Sequence, residues 1–192
     1  KEITDSMTVD MDDVNYSVLT YAASTKANAM GPSILDPRSG EILEADIMWW
    51  HNVLNMLQEW ITVQTGTVRP EADELMGDAM RFVACHEVGH SLGLRHNMMG
   101  SWAFPTDSLR SKSFTDRMNS TSSSIMDYAR FNYVAQPGDG ITALSPHIGP
   151  YDIFAIEYGY RWYGKENPEE EKDLLYDFLS RHTDRLYKYS EA

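Results

Sequence analysis

Three histidines and a glutamate fall within one twelve-residue segment, His86-Glu87-Val88-Gly89-His90-Ser91-Leu92-Gly93-Leu94-Arg95-His96-Asn97. On a helix, positions 86 and 90 lie about 40° apart and one turn along, so both imidazoles leave the same face. That spacing lets two ring nitrogens reach a single Zn²⁺ at about 2.0–2.1 Å. Glu87 flanks them, placed to take a proton from water rather than to bind the ion. His96 stands six residues past His90, out of phase with that face. Gly93, midway, can adopt the left-handed backbone that turns the chain and brings His96 back. Three histidine ligands leave a fourth position open, which marks a catalytic rather than a structural zinc site.

Composition sets the odds of a chance match. With 6 His and 12 Gly in 192 residues, a random His-Glu-x-x-His has a probability of roughly 0.01. Requiring Gly93 and His96 as well lowers it to on the order of 2 × 10⁻⁵. The extended pattern, not the five-residue core, is therefore the signal. The single cysteine, Cys85, excludes an internal disulfide and any cysteine-based zinc cluster. It points away from the ligand face and reads as a small buried residue. His51, His147 and His182 have no partnering pattern, so each is expected to be structural or exposed.

The elements that must position these groups follow from periodicity. Residues 16 to 21 alternate as a strand. Two short apolar runs, 27–35 and 41–47, flank Asp36-Pro37-Arg38-Ser39-Gly40 and suggest a hairpin. Apolar residues at 49, 50, 53, 54, 57, 60 and 61 have helical spacing, and Gly66 ends the run. A second helix is expected from Pro70, with Glu71, Asp73 and Glu74 at its positive end, through His86 and His90 to Gly93. Residues 97–140 look loop-rich, 148–163 read as a buried helix, and 168–189 as a charged amphipathic helix. The expected fold class is α+β.

Acidic residues outnumber basic ones 29 to 16, giving a net charge of −13. That balance repels phosphate backbones and anionic lipid, which excludes nucleic acid as a partner class. No run of about 18 apolar residues occurs, so no transmembrane segment is expected. At this length one domain can bury roughly 70% of the surface its unfolded chain exposes.

The zinc pattern resembles that of the metzincins, zinc proteases with His-Glu-x-x-His-x-x-Gly-x-x-His followed by a methionine turn. Ser124-Ile125-Met126-Asp127-Tyr128, thirty residues after His96, is similar to that turn. The resemblance implies that Met126 forms an apolar floor beneath the metal. It also implies that Tyr128, two residues on, serves as a movable extra zinc ligand and oxyanion stabiliser. More narrowly, the run from Ala27 to Gly138 resembles the Met-zincin domain of large bacterial zinc-dependent metalloproteases, most specifically at 86–97 and 124–133. Residue Asn97 departs from the pattern: astacins have Glu here, matrixins Ser and adamalysins Asp, so none of their substrate preferences transfers. The helix expected at 49–65 also sits where simpler metzincins run almost directly from strand to zinc helix.

The resemblance implies a metzincin-like zincin fold over residues 1–192 as a single catalytic domain, a small mixed, twisted sheet over a long zinc-binding helix with a mostly helical part after the third histidine. Its N-terminal subdomain would be 1–96, with the zinc helix, and its C-terminal subdomain 97–192, with the methionine turn. It implies one catalytic Zn²⁺ held by His86, His90 and His96, Glu87 as general base and acid, and peptide or protein as substrate. A substrate strand is expected to pair with an edge strand around 27–35, and the specificity walls are expected in 127–140. The family likeness also implies a secreted or cell-envelope setting. The abrupt start at Lys1 and the charged C-terminal helix suggest excision from a longer chain with further domains. Asp127 is expected to cap a turn. Two competing readings are a protease whose third ligand is an acid, and a metal-stabilised peptide-binding module without turnover. The presence of Gly93 and the absence of a downstream Glu-x-x-x-Asp weigh against the first, and Glu87 against the second.

Overall fold

The computed structural model describes residues 10–66 and 73–191. Its element order is mixed α and β. Strands β1 (Leu19–Ala22), β2 (Ala29–Met30) and β5 (Ile47–Trp50) form one sheet in the order β1-β5-β2, and β3 (Ser33–Leu35) and β4 (Ile42–Ala45) form a separate hairpin. In the first sheet β1 runs parallel to β5, and β2 antiparallel to it with Ala29 opposite Trp49. The sheet is small and mixed.

Three expectations shift here. The 27–35 run divides between two sheets, because Pro32 interrupts it, and its two parts pair with different partners. The 41–47 run is broken at Asp46, whose carboxylate accepts the Val18 N–H at 2.8 Å. Trp49 and Trp50 belong to β5, not to the helix that follows. Ile47 and Trp49 are buried while Met48 and Trp50 are only half-buried, which is the alternation of a strand with one covered face.

Helix α1 (Val53–Thr65) then runs to Gly66 and buries Val53, Leu57 and Ile61, one residue per turn. Helix α2 (Asp73–Ser91) carries the first two histidines. Its expected beginning at Pro70 and Glu71 lies outside the described residues. The two helices pack on each other and on the sheet through Ala29, Trp49, Val53, Leu57, Phe82 and Val83, and Ile125 and Met126 from the far half of the chain complete that cluster.

The second half is more ordered than its loop-like composition implies. Segment 97–140 contains α3 (Met99–Ala103), a 3₁₀ turn at Thr106–Arg110 and α4 (Lys112–Met118). The serine run is fully buried from Ser120 to Ser124. Small side chains let neighbouring backbone come close. The Ser123 N–H donates to the Gly100 carbonyl at 3.0 Å, and its carbonyl accepts the Tyr151 N–H at 2.9 Å. Serine hydroxyls satisfy backbone groups that no regular element pairs: Ser120 donates to the His147 carbonyl at 3.1 Å and Ser122 to the Ser124 carbonyl at 2.6 Å.

Helix α5 (Pro150–Tyr160) is not the buried helix its aromatic content suggests. Asp152 is its one buried residue among those described, and Ile153, Tyr158 and Tyr160 are exposed. Helix α6 (Pro168–Ser180) stops well short of residue 189. The remainder forms a 3₁₀ turn at Arg185–Tyr187 and then an extended segment. No helix among the described residues is long and apolar enough to cross a membrane.

Candidate metal centre

Helix α2 ends in a left-handed Gly93, φ 86°. The Gly93 N–H donates to the His90 carbonyl at 2.9 Å and the Leu94 N–H to the Gly89 carbonyl at 3.0 Å. This paired closure is the Schellman arrangement, which a residue with Cβ enters only under strain. It reverses the chain so that the Leu94 carbonyl lies against His90 Nδ1 at 2.9 Å and His96 faces the helix. His86, His90 and His96 thereby each offer a nitrogen within 4.8 Å of the others.

The ring tautomers follow from their partners. His86 Nδ1 is 2.9 Å from the Ile125 carbonyl, and His90 Nδ1 meets the Leu94 carbonyl. A carbonyl can only accept, so both Nδ1 atoms carry the proton and both Nε2 atoms present a lone pair. His90 Nε2 and His96 Nε2 lie 3.2 Å apart. Two such nitrogens at that separation repel unless a proton or cation stands between them. A tetrahedral Zn²⁺ with bonds of about 2.0–2.1 Å sets neighbouring ligands about 3.3 Å apart, so these residues fit the ion. Burial holds His86 down to about 4, with His90 and His96 adding to the effect. Desolvation also lowers His96. Neutral imidazoles are the form that binds metal.

Glu87 is buried beside the histidines. Burial pushes its carboxyl above the usual range, while the charge field of His90 and the Gly31 N–H pull it back. Gly31, just past β2, packs so tightly on α2 that a Cβ there would come 2.6 Å from the Glu87 carbonyl oxygen. The Tyr128 hydroxyl donates to His96 Nε2 at 2.9 Å, and its ring stacks on His86. Desolvation, with Glu87 nearby, keeps that phenol protonated beyond its ordinary range.

Met126 is wholly buried. A Cβ on Gly89 would run into its sulfur, so the glycine just before His90 makes room for the methionine. The Met126 carbonyl accepts the Asn97 N–H at 3.0 Å. Asp127 accepts the Ser101 N–H at 2.6 Å near the start of α3. The structure thus brings together His86, Glu87, His90, His96, Met126 and Tyr128.

One group here escaped the sequence reading. Asp152, buried in the first turn of α5, accepts from Ser124 Oγ at 2.7 Å, Ile125 N at 2.7 Å and Gly149 N at 2.8 Å. It clamps the N–H of Ile125, the residue whose carbonyl holds His86. The available signal was an acid two residues after Pro150, a position that favours a helix start.

The histidines close one end of a cleft of about 550 Å³. Residues 28–32 line one flank, and Met56 and Trp60 of α1 line its apolar end. Tyr128 and Arg130 reach it, but 131–140 do not, so the lining comes largely from 28–32, α1 and α2 instead of from the segment after the methionine turn. Arg130 holds a left-handed backbone, φ 55°, with its guanidinium 4.6 Å over Trp60. Cys85 is half-buried. His147 bonds to Asp78 at 2.8 Å and to the Asn119 carbonyl at 2.6 Å, a structural tie between α2 and the loop before α5. His51 pairs with Tyr21, and His182 packs on Phe178.

A histidine triad able to hold a metal ion stands beside a buried carboxylate in an open cleft. A family model described as Met-zincin matches residues 69–192, and the chain belongs to that family. Membership supports a metzincin-type zinc metalloprotease domain. Comparison with curated proteins and with solved structures gives no significant match.

Proposed function

We propose that the protein is a zinc endopeptidase in which His86, His90 and His96 hold one Zn²⁺. The observation that carries this is the convergence of three imidazole nitrogens with lone pairs inward beside a buried carboxylate on the same helix. When bound, the ion supplies Lewis-acid polarisation of the scissile carbonyl and of water. Glu87 takes the proton of the attacking water, helped by a carboxyl pushed upward by burial, and delivers it to the leaving amine. Tyr128 donates its hydroxyl to the developing oxyanion. That hydroxyl now donates to the His96 lone pair, and would have to give up this bond for His96 to hold an ion. An extended peptide pairs with the exposed edge of β2, whose residues line the cleft.

The architecture is read as a zincin fold, with the sheet and zinc helix in an N-terminal subdomain, 1–96, and the methionine turn in a C-terminal subdomain, 97–192. Together they make one catalytic domain. A secreted or cell-envelope location, a bacterial source and further domains in the parent chain belong to the same reading. The test is Glu87→Gln. The zinc-loaded variant should retain one ion by metal analysis and lose cleavage of a peptide library by at least about 100-fold. Unchanged turnover refutes the assignment of Glu87. Zinc binding with no cleavage by the unsubstituted protein favours a peptide-binding module instead.

A further inference from the structure

The three histidines are not held alike. His86 and His90 each anchor Nδ1 on a backbone carbonyl. Among the described residues His96 has no such partner for Nδ1, and its ring is only half-buried. Its orientation must come from the backbone next to it, and there Asn97 is completely buried. The Asn97 N–H donates to the Met126 carbonyl at 3.0 Å, tying the third-histidine loop to the methionine turn. Its side-chain oxygen accepts the Met99 N–H and the Ser190 N–H, both at 3.2 Å. Its side-chain nitrogen donates to the Lys188 carbonyl at 3.0 Å.

The amide therefore stands in for a peptide group, with one acceptor and one donor facing the chain's last described residues. The Met98 N–H adds a true backbone bond to the Ser190 carbonyl at 2.7 Å, and Arg95 pairs with Glu191 at 2.6 Å. Residues on both sides of His96 are thus fastened to one extended segment more than ninety positions away. The segment is itself held from beneath by Tyr189 stacking on Tyr151. An aspartate at position 97 would match the shape but turn a carboxylate oxygen on the Lys188 carbonyl, two acceptors face to face.

We propose that Asn97 and the segment Lys188–Glu191 form a strap that positions His96, making this C-terminal segment a working part of the metal centre. This rests on the reading of the three histidines as zinc ligands. Asn97 is a positioning residue: it touches neither ion nor substrate, and acts through His96.

The experiment is a double-mutant cycle read by zinc affinity, using competition with a chromophoric chelator. Asn97→Asp, and separately deletion of residues 188–192, are each made with His96 present and with His96→Ala. With His96 present, each change should weaken zinc binding about 10- to 100-fold, as for lost partners of metal ligands. With His96 already replaced, the same changes should cost less than about threefold. Equal losses in both backgrounds mean general destabilisation and overturn the proposal, as does no loss with His96 present. Should Asn97→Asp fail to fold, the deletion carries the cycle alone. His86→Ala serves as the control on the underlying reading: if it leaves zinc affinity untouched, the histidine triad is not the site and the strap falls with it.

Discussion

Replacing Asp152 with Ala tests whether a residue from α5 supports the metal centre. Its carboxylate receives Ser124 Oγ–H, Ile125 N–H and Gly149 N–H, and the surrounding chain is buried. Alanine leaves two buried N–H groups without acceptors, each costing about 1–3 kcal/mol. The serine hydroxyl can rotate to another partner, and relief of the buried carboxylate's own desolvation offsets part of the loss. A net destabilisation of about 3 kcal/mol follows, or about 6–12 °C in melting temperature for a domain of this size. Asp152→Asn should behave differently. Both backbone N–H groups fall on the same oxygen, Oδ2. An amide can place its oxygen there and turn its NH₂ toward the Ser124 hydroxyl, which can accept. The asparagine variant should therefore lose about 1 kcal/mol. Urea unfolding of the chelator-treated proteins measures both, because ligand binding adds nothing to stability there. A loss below about 1 kcal/mol for alanine refutes the clamp. Equal losses for alanine and asparagine refute the geometric account in favour of charge.

Three further perturbations follow. Gly89→Ala should push the Met126 sulfur out of its seat and cost about 1–3 kcal/mol by overpacking, measured by thermal unfolding; an unchanged melting temperature contradicts the contact. Tyr128→Phe removes the proposed oxyanion donor while keeping the ring, so kcat should drop by about 100-fold with little change in KM, read with a fluorogenic peptide. The hydrogen bond to Asp78 raises the His147 pKa above its ordinary value. Its contribution to stability is full below the unfolded pKa near about 6.5 and is lost as pH rises through the folded one. Comparing wild type with His147→Gln by urea unfolding, the gap should narrow between neutral and alkaline pH, and a gap that widens contradicts the sign.

The histidine–glutamate segment was legible because its logic is local. Helical phase, one glycine and a six-residue return fix where three imidazoles point, and the Schellman closure at Gly93 is written in the same few residues. The first half of the fold was partly legible for the same reason, since α1 follows a hydrophobic period; the strand expected over 16–21 forms instead at Leu19–Ala22, with Leu19 and Tyr21 exposed. The errors fell where a period is ambiguous or a pairing is remote. Trp49 and Trp50 fit either a helix face or a strand end, and only the neighbours β1 and β2 decide for the strand. Composition marks 97–140, the serine run included, only as loop-rich, because burial of small polar residues depends on what covers them, here α3 and the Gly149 turn.

By itself, then, the sequence determined that His86, His90 and His96 converge beside Glu87, since this needs only a helix and a turn to be assembled. Tertiary structure decided what holds them. Asp152 and the 188–191 segment reach the site across 27 and 91 positions of chain. No period or short motif encodes such contacts, because they arise when separately folded elements dock and their buried polar groups must find partners. The cleft's apolar end was decided the same way, by α1 packing beside α2 rather than by the loop downstream of Met126.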